Sequence, residues 1–257
     1  MIAEKDFAGR QSRGARDSQE DSYAFSEISG DSGEVESLLV VVADGMGGHA
    51  AGERASELAL HCFVEQFYHA PGGTAVKLKT ALLAANEAIT QELKREPHYE
   101  GMGTTLVAAC LTGDTIEWIS VGDSPLYLWR EEHLSRLNED HSLRPVLDEL
   151  HANREPPHHE VSAASRNILR AALTGDEIAM IDQSDTAMRL RPGDIIIAAS
   201  DGIHTLPDEQ ISHVCAVSRA EEAQGLAENI IRLIKDEAHP RQDNTTIAVI
   251  KAPATAV

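Results

Sequence analysis

Leu38-Leu39-Val40-Val41-Val42-Ala43-Asp44-Gly45-Met46-Gly47-Gly48 is the stretch on which the fold turns. Its first six residues are apolar without alternation, and an aspartate and three glycines stop the run. A run of that length bounded by turn formers reads as a strand covered on both faces, so a layer must lie on either side of it. The same pattern recurs. Asp21 precedes Ser22-Tyr23-Ala24-Phe25, Asp123-Ser124 follows Trp118-Ile119-Ser120-Val121-Gly122, Asp201-Gly202 ends Ile195-Ile196-Ile197-Ala198-Ala199-Ser200, and Asp243-Asn244 opens Thr245-Thr246-Ile247-Ala248-Val249-Ile250. Five aspartates therefore stand where a strand meets a loop, on a rigid base at a sheet rim. Clustered carboxylates repel one another and lose solvation, which calls for bound cations. Hard oxygen ligands without Cys or His partners suit Mg²⁺ or Mn²⁺.

Outward from that stretch, further strands are expected at 104–111, 115–121, 125–130, 194–200 and 245–251. Thr112-Gly113-Asp114 is short enough to make 104–111 and 115–121 an antiparallel hairpin. Helices are expected at 50–68, with Ala51, Ala55, Leu58 and Cys62 on one face, and at 75–94, with Leu78, Leu82, Ala85 and Ile89. A third, at 219–236, carries Ala223, Leu226, Ala227, Ile230 and Ile234. Ser218 followed by Glu221 has the pattern of a capping box, and Pro240 lies beyond the far end. Strand and helix do not alternate through the middle third, which disfavours a doubly wound parallel sheet. Two antiparallel sheets packed face to face, with helices outside, fit the unbroken apolar runs. The polar segment 138–165 is expected to hold a short helix within 141–152 and otherwise to run over the surface. With no internal repeat or linker, residues 1–257 are expected to form one domain.

The chain has 257 residues, 42% of them hydrophobic, and a net charge of −20 from 22 basic and 42 acidic residues. That balance argues against nucleic acid and anionic membrane as partners, since phosphate-backbone affinity rests on clustered Lys and Arg. Cys62, Cys110 and Cys215 are odd in number, far apart and set in apolar contexts, as reduced core residues are. The N-terminus lacks a basic region followed by an apolar one, and no stretch reaches the ~18 apolar residues of a membrane span. A cytoplasmic location is expected.

Several features have two readings. Asp44-Gly45-Met46-Gly47-Gly48 has neither a GxGxxG pattern nor a Walker lysine. Its glycines either let the backbone approach a metal cluster or simply make a tight turn. Arg16, near Glu20 and Asp21, is either a surface ion pair worth about 0–1 kcal/mol or a planar fork for a dianionic oxyanion. Each aspartate alone is an ordinary turn residue; their joint occurrence is what points to a site.

In the order in which they occur, seven stretches resemble the metal-dependent protein phosphatases of type 2C, the PPM family, in their bacterial form. They are Arg16-Asp17-Ser18-Gln19-Glu20-Asp21, Val42-Ala43-Asp44-Gly45-Met46-Gly47-Gly48-His49-Ala50-Ala51-Gly52-Glu53, Gly101-Met102-Gly103-Thr104-Thr105, Val121-Gly122-Asp123-Ser124, Arg191-Pro192-Gly193-Asp194, Ala199-Ser200-Asp201-Gly202 and Asp243-Asn244-Thr245-Thr246. They span about residues 8 to 251, with 141–165 matching a variable flap. The resemblance implies an α+β fold, a four-layer α-β-β-α sandwich of two packed antiparallel sheets flanked by helix pairs. It implies hydrolysis of phosphoserine and phosphothreonine in proteins, by a water bridging two Mn²⁺ or Mg²⁺ ions. By position, Asp44 would bridge both ions, and Asp21, the Gly45 carbonyl, Asp201 and Asp243 would be further ligands. Glu20 would act through water, Asp123 would join Asp201 in a third, weaker site, and Arg16 would bind the phosphoryl group. The implied partners are phosphorylated proteins made by a Ser/Thr kinase, met by a monomer.

Two positions depart from the family pattern. Met46 stands where eukaryotic members often carry a candidate general-acid histidine, and Met donates no proton, so the leaving group must take one from water. Pro125 stands where relatives usually show Arg, which the resemblance assigns a structural part. His49 is expected to serve packing or the loop, and His158-His159, lacking metal-ligand spacing, to be solvated. A silent phosphoprotein-binding domain and a hydrolase of small phosphoesters are the rival functions.

Overall fold

The computed structural model describes residues 1–29, 35–48, 50–152 and 168–252. His49, His158, His159 and most of the flap expected at 141–165 lie outside the described residues. The strands are β1 (Phe7–Ser12), β2 (Asp21–Ser29), β3 (Val35–Met46), β4 (Gly103–Thr104), β5 (Leu106–Thr112), β6 (Thr115–Val121), β7 (Leu126–Arg130), β8 (His133–Arg136), β9 (Asp182–Gln183), β10 (Met188–Arg189), β11 (Ile195–Ala199) and β12 (Thr245–Lys251). The helices are α1 (Ala50–His69), α2 (Thr74–Arg95), α3 (Arg144–Ala152), α4 (Asp208–Val217) and α5 (Ala223–Asp236). One sheet runs β1-β12-β11-β7-β8. The other runs β10-β6-β5-β3-β2, with β4 on β3 and β9 on β6. All these pairs are antiparallel.

The unbroken apolar strands are explained by where alternate residues go. On β3, Leu38, Val40 and Val42 enter the layer between the sheets, whereas Leu39 and Val41 face α1 and α2. β11 divides the same way, Ile196 and Ala198 inward and Ile195, Ile197 and Ala199 outward against α4 and α5. Successive side chains of a strand point to opposite faces, so a strand with both faces covered must be apolar at every position. The result is the four-layer sandwich with a helix pair on each outer face.

The 106–112 and 115–121 strands pair through Thr112 opposite Thr115, as the turn chemistry required. Leu78, Leu82, Ala85 and Ile89 of α2 are all buried. On α1 the buried stripe is Ala51, Gly52, Ala55, Ser56, Ala59, Phe63 and Phe67. Leu58 and Cys62, expected on that face, sit half-buried at its edge. The helix expected at 219–236 begins at Ala223 with Glu222 at its N-cap and no side-chain cap, so the capping box does not form. A helix the periodicity did not reveal, α4, ends at Val217 with Ser218 as its C-cap, and 218–222 serve as the turn to α5. Ser218 Oγ and Glu221 Oε2 instead accept from Asn229 Nδ2 at 2.9 and 3.0 Å. Cys110 and Cys215 are buried and no cysteine is bonded to another. No described helix is long and apolar enough to cross a membrane.

Candidate metal centre

The topology delivers carboxylates to one rim. β2 and β3 pair with Asp21 opposite Asp44. β3 and β6 both run antiparallel to β5, so they point the same way, and Asp123, just past the end of β6, arrives at the edge where β3 carries Asp44. In the other sheet the end of β11 meets the start of β12, which places Asp201 beside Asp243. The two sheets are joined at this point by hydroxyls. Ser200 Oγ and Thr246 Oγ1 donate to Asp21 Oδ2 at 2.7 and 2.8 Å.

Each group is held from behind. The Asp44 N–H donates to Thr105 Oγ1 at 3.1 Å, and its carbonyl accepts from Thr104 Oγ1 and the Thr105 N–H at 2.9 Å each. At Gly45 a Cβ would lie 2.1 Å from the Gly52 carbonyl oxygen and 2.6 Å from that of Glu20, so only glycine permits this approach of three backbone segments. Glu20 Oε2 lies over Gly52 in the first turn of α1, where a helix N-terminus favours negative charge. Asn244 fastens the preceding loop: its Nδ2 donates to the carbonyls of Arg13 and Ser18 at 2.8 and 2.9 Å, and its Oδ1 accepts from the Glu20 N–H at 2.8 Å.

The electrostatics are those of like charges crowded out of water. Burial pushes the Asp21 carboxyl up to about 6, against its two hydroxyl donors and with the help of the Asp243 charge. Burial first, then Asp123, Asp243 and Asp21, push Asp201 up to about 7. Asp44 is raised by burial and by the charges of Asp21, Asp201, Asp123 and Asp243 together. Asp123 rises to about 6, through burial and Asp140, with Arg136 opposing.

Asp44, Asp123, Asp201 and Asp243 line a cavity of about 950 Å³ together with Arg16, Glu20, Gly45 and Met46. Arg16, which also lines the cavity, pairs through Nη2 with Asp243 Oδ2 at 2.5 Å. The facing wall, including Leu169, Arg170, Asp176 and Glu177, was not legible in the sequence. Gly175 fixes it through long-range bonds, its N–H to Asn86 Oδ1 at 2.9 Å and its carbonyl from Thr90 Oγ1 at 2.6 Å on α2. Ser200, Thr246 and Asn244 were also missed as supporting groups. Their signal is present: polar residues at the ends of runs otherwise apolar.

The donor set fits divalent cations. Asp21 Oδ1 is buried with no hydrogen-bond partner among the described residues. An ionised carboxylate accepts only, so once the neighbouring aspartates are ionised a cation can satisfy this oxygen and they cannot. Among the described residues no three His, Cys, Asp or Glu side chains already close around a single point.

The family model described as Protein phosphatase 2C matches residues 8–235. The chain belongs to that family. It is 35% identical over 214 residues to the serine/threonine protein phosphatase PstP of Mycobacterium tuberculosis, a match that covers 82% of this chain and 40% of PstP. The chain thus spans less than half the length of that relative. It is 29% identical to the serine/threonine phosphatase stp of Listeria monocytogenes, covering 84% of this chain and 85% of that one. The solved catalytic domain of PstP in complex with two manganese ions is 32% identical and superposes with a TM-score of 0.75 over 95% of this chain and 96% of that one. The sandwich and its helix pairs are therefore the fold of the protein phosphatase 2C family.

Proposed function

We propose that this protein is a metal-dependent hydrolase of phosphoserine and phosphothreonine in proteins. The observation that carries the reading is the meeting of Asp21 and Asp44 from one sheet with Asp201 and Asp243 from the other, around an acceptor oxygen that no group among the described residues satisfies. Family membership and the manganese-bound PstP domain support it.

Asp21, Asp44, Asp201, Asp243 and the Gly45 carbonyl would hold two Mn²⁺ or Mg²⁺ ions, with Glu20 acting through water. Such ions polarise water and neutralise phosphoryl charge. Phosphoryl transfer then asks little of the protein beyond positioning and electrostatics. Arg16 pairs with Asp243 and lines the cavity, where a phosphoryl group bound beside the carboxylates would meet it. Met46 lines the cavity and holds no proton, so the leaving oxygen is protonated from solvent. Asp123, whose charge does most after burial to raise Asp201, would share a third, weaker site with it. Retention of Asp21, Asp44, Asp201 and Asp243 argues against a silent binding domain, which has no chemical reason to keep a set of mutually repelling carboxylates.

The wider reading is a monomer in the bacterial cytoplasm that reverses a Ser/Thr kinase. The net charge of −20 supports a role away from nucleic acid and anionic membrane. The test is release of p-nitrophenol from p-nitrophenyl phosphate with Mn²⁺, then turnover of peptides carrying phosphoserine, phosphothreonine or phosphotyrosine. Turnover of the first two peptides, abolished by EDTA, is expected. Equal activity in EDTA overturns the metal reading, and turnover of small esters alone moves the substrate class away from proteins.

A further inference from the structure

We infer that Arg136, at the end of β8, is the positioning residue for Asp123, acting through the backbone of the Asp123 loop. The inference rests on the third-site reading of Asp123 above.

The loop between β6 and β7 has little of its own to hold it. Gly122 takes a left-handed φ of 106°, and a Cβ there would stand 2.6 Å from Thr105 Cβ, so the backbone is pressed against the residue that supports Asp44. The Pro125 carbonyl accepts from the Ala199 N–H at 3.0 Å, and one short stretch of chain, residues 136–141, holds the backbone around Asp123. Arg136 Nη2 donates to the Asp123 carbonyl at 2.9 Å. Asn138 Nδ2 donates to the Ser124 carbonyl at 3.0 Å, and Asn138 Oδ1 accepts from the Leu126 N–H at 2.8 Å. The Gly122 N–H donates to His141 Nδ1 at 3.2 Å, and the His141 N–H donates back to the Gly122 carbonyl at 3.1 Å. Both peptide units flanking Asp123 are thereby fixed, and with them the direction in which its carboxylate leaves the chain.

Arg136 is the member of this clamp whose chemistry is hardest to replace. Its other nitrogens are engaged at once, Nε with Asn138 Oδ1 at 3.2 Å and Nη1 with Asp140 Oδ2 at 2.9 Å. The guanidinium thus spans three acceptors in one plane, an arrangement a lysine ammonium cannot copy. The ion pair is largely buried, with side-chain exposures of 20% and 10%, so the fork is held rigid rather than sampled. Groups that orient a metal ligand without touching the metal change affinity or activity about 10–100-fold when removed. Arg136 reaches Asp123 through its carbonyl, and its effect should therefore vanish when the Asp123 carboxylate is gone.

The experiment is a Mn²⁺ titration of wild type, Asp123→Ala, Arg136→Met and the double variant, followed by turnover and by calorimetric Mn²⁺ binding. Arg136→Met should raise the Mn²⁺ needed for half-maximal turnover roughly tenfold and weaken the low-affinity calorimetric phase equally, with the tight phase unchanged. The double variant should match Asp123→Ala alone. If Arg136→Met titrates as wild type, or its loss multiplies that of Asp123→Ala, the inference is overturned while the third site stands. If Asp123→Ala itself titrates as wild type, the third site and this inference fall together; no Mn²⁺-dependent turnover in wild type overturns the proposed function as well. Arg136→Lys, which keeps the charge and loses the fork, carries the same comparisons if Arg136→Met does not fold, and should fall between wild type and Arg136→Met.

Discussion

Asp44 and Asp201 illustrate what a single side chain contributes at this centre. Each carboxyl is raised mainly by burial and then by its fellow aspartates, so removing one charge relieves the cluster while depriving the proposed metal centre of a ligand. Asp44→Asn and Asp201→Asn should each lower Mn²⁺-dependent turnover by about 10²-fold or more and leave the fold intact, read by turnover beside a thermal melt. Linkage gives a second expectation. Asp21 and Asp201 stand at about 6 and about 7 when folded, against an ordinary 3.8. Folded carboxyls that hold protons more tightly than unfolded ones contribute stability below the unfolded value and lose it as pH rises through the folded values. In EDTA, Tm should therefore fall between about pH 4 and pH 7; Mn²⁺, which binds the deprotonated groups, should remove the fall and add most at the upper end. A flat Tm in EDTA across that window would contradict the crowding. At Arg16, Ala should raise KM for a phosphopeptide, and Lys should recover it only in part, because the fork is lost. An unchanged KM in both variants would return Arg16 to an ion pair with Asp243 and nothing more. Asp21, Asp44, Asp201 and Asp243 were legible because each interrupts an apolar run. Ser200 and Thr246 stood out only as polar ends of apolar runs, and a hydroxyl there acquires its role only when another sheet brings it an acceptor.

Elements differ in how much of themselves they announce. β3, β11 and β12 declare themselves because both faces are covered, and α2 because its buried face repeats at helical spacing. β1 pairs along its whole length with β12 yet has only Phe7 and Ala8 as buried apolar residues, so its existence depends on the neighbour's ladder. The Ser218–Glu221 pair was misleading for a related reason: local capping chemistry competes with the chain's need for a turn between α4 and α5. The meeting of β3 with α1 and the Glu20 loop is a place where an element can be tested. Gly45→Ala puts a methyl within 2.1 Å of a backbone oxygen, which no rotamer can relieve. It should cost more than about 2 kcal/mol in urea unfolding and lower turnover as well, because β3 must shift at Asp44. A loss below about 0.5 kcal/mol would mean the three segments part easily.

The whole molecule is two sheets whose shared interior decides how far Asp21 and Asp44 stand from Asp201 and Asp243. Ile196 is wholly buried in that layer. Ile196→Ala should cost about 2–5 kcal/mol and, by loosening the sheets against each other, lower turnover under conditions where the protein remains folded. Leu83→Ala, on an α2 position that is 49% exposed, should change stability by less than about 0.5 kcal/mol, both read from urea midpoints. The sequence by itself determined the strands covered on two faces, the helices with long apolar stripes, the hairpin through Gly113 and the aspartates at the rim. These are local matters of periodicity and turn chemistry, readable within a dozen residues. Only the tertiary structure decided that Asp21 lies opposite Asp44, that Ser200 and Thr246 bridge the sheets to Asp21, that residues 169–179 wall the cavity, and that Arg136 stands behind Asp123. Each of those depends on strand register or on contacts between residues far apart in the chain, and register and long-range packing are fixed by burying both sheets at once, a condition no single stretch of sequence carries.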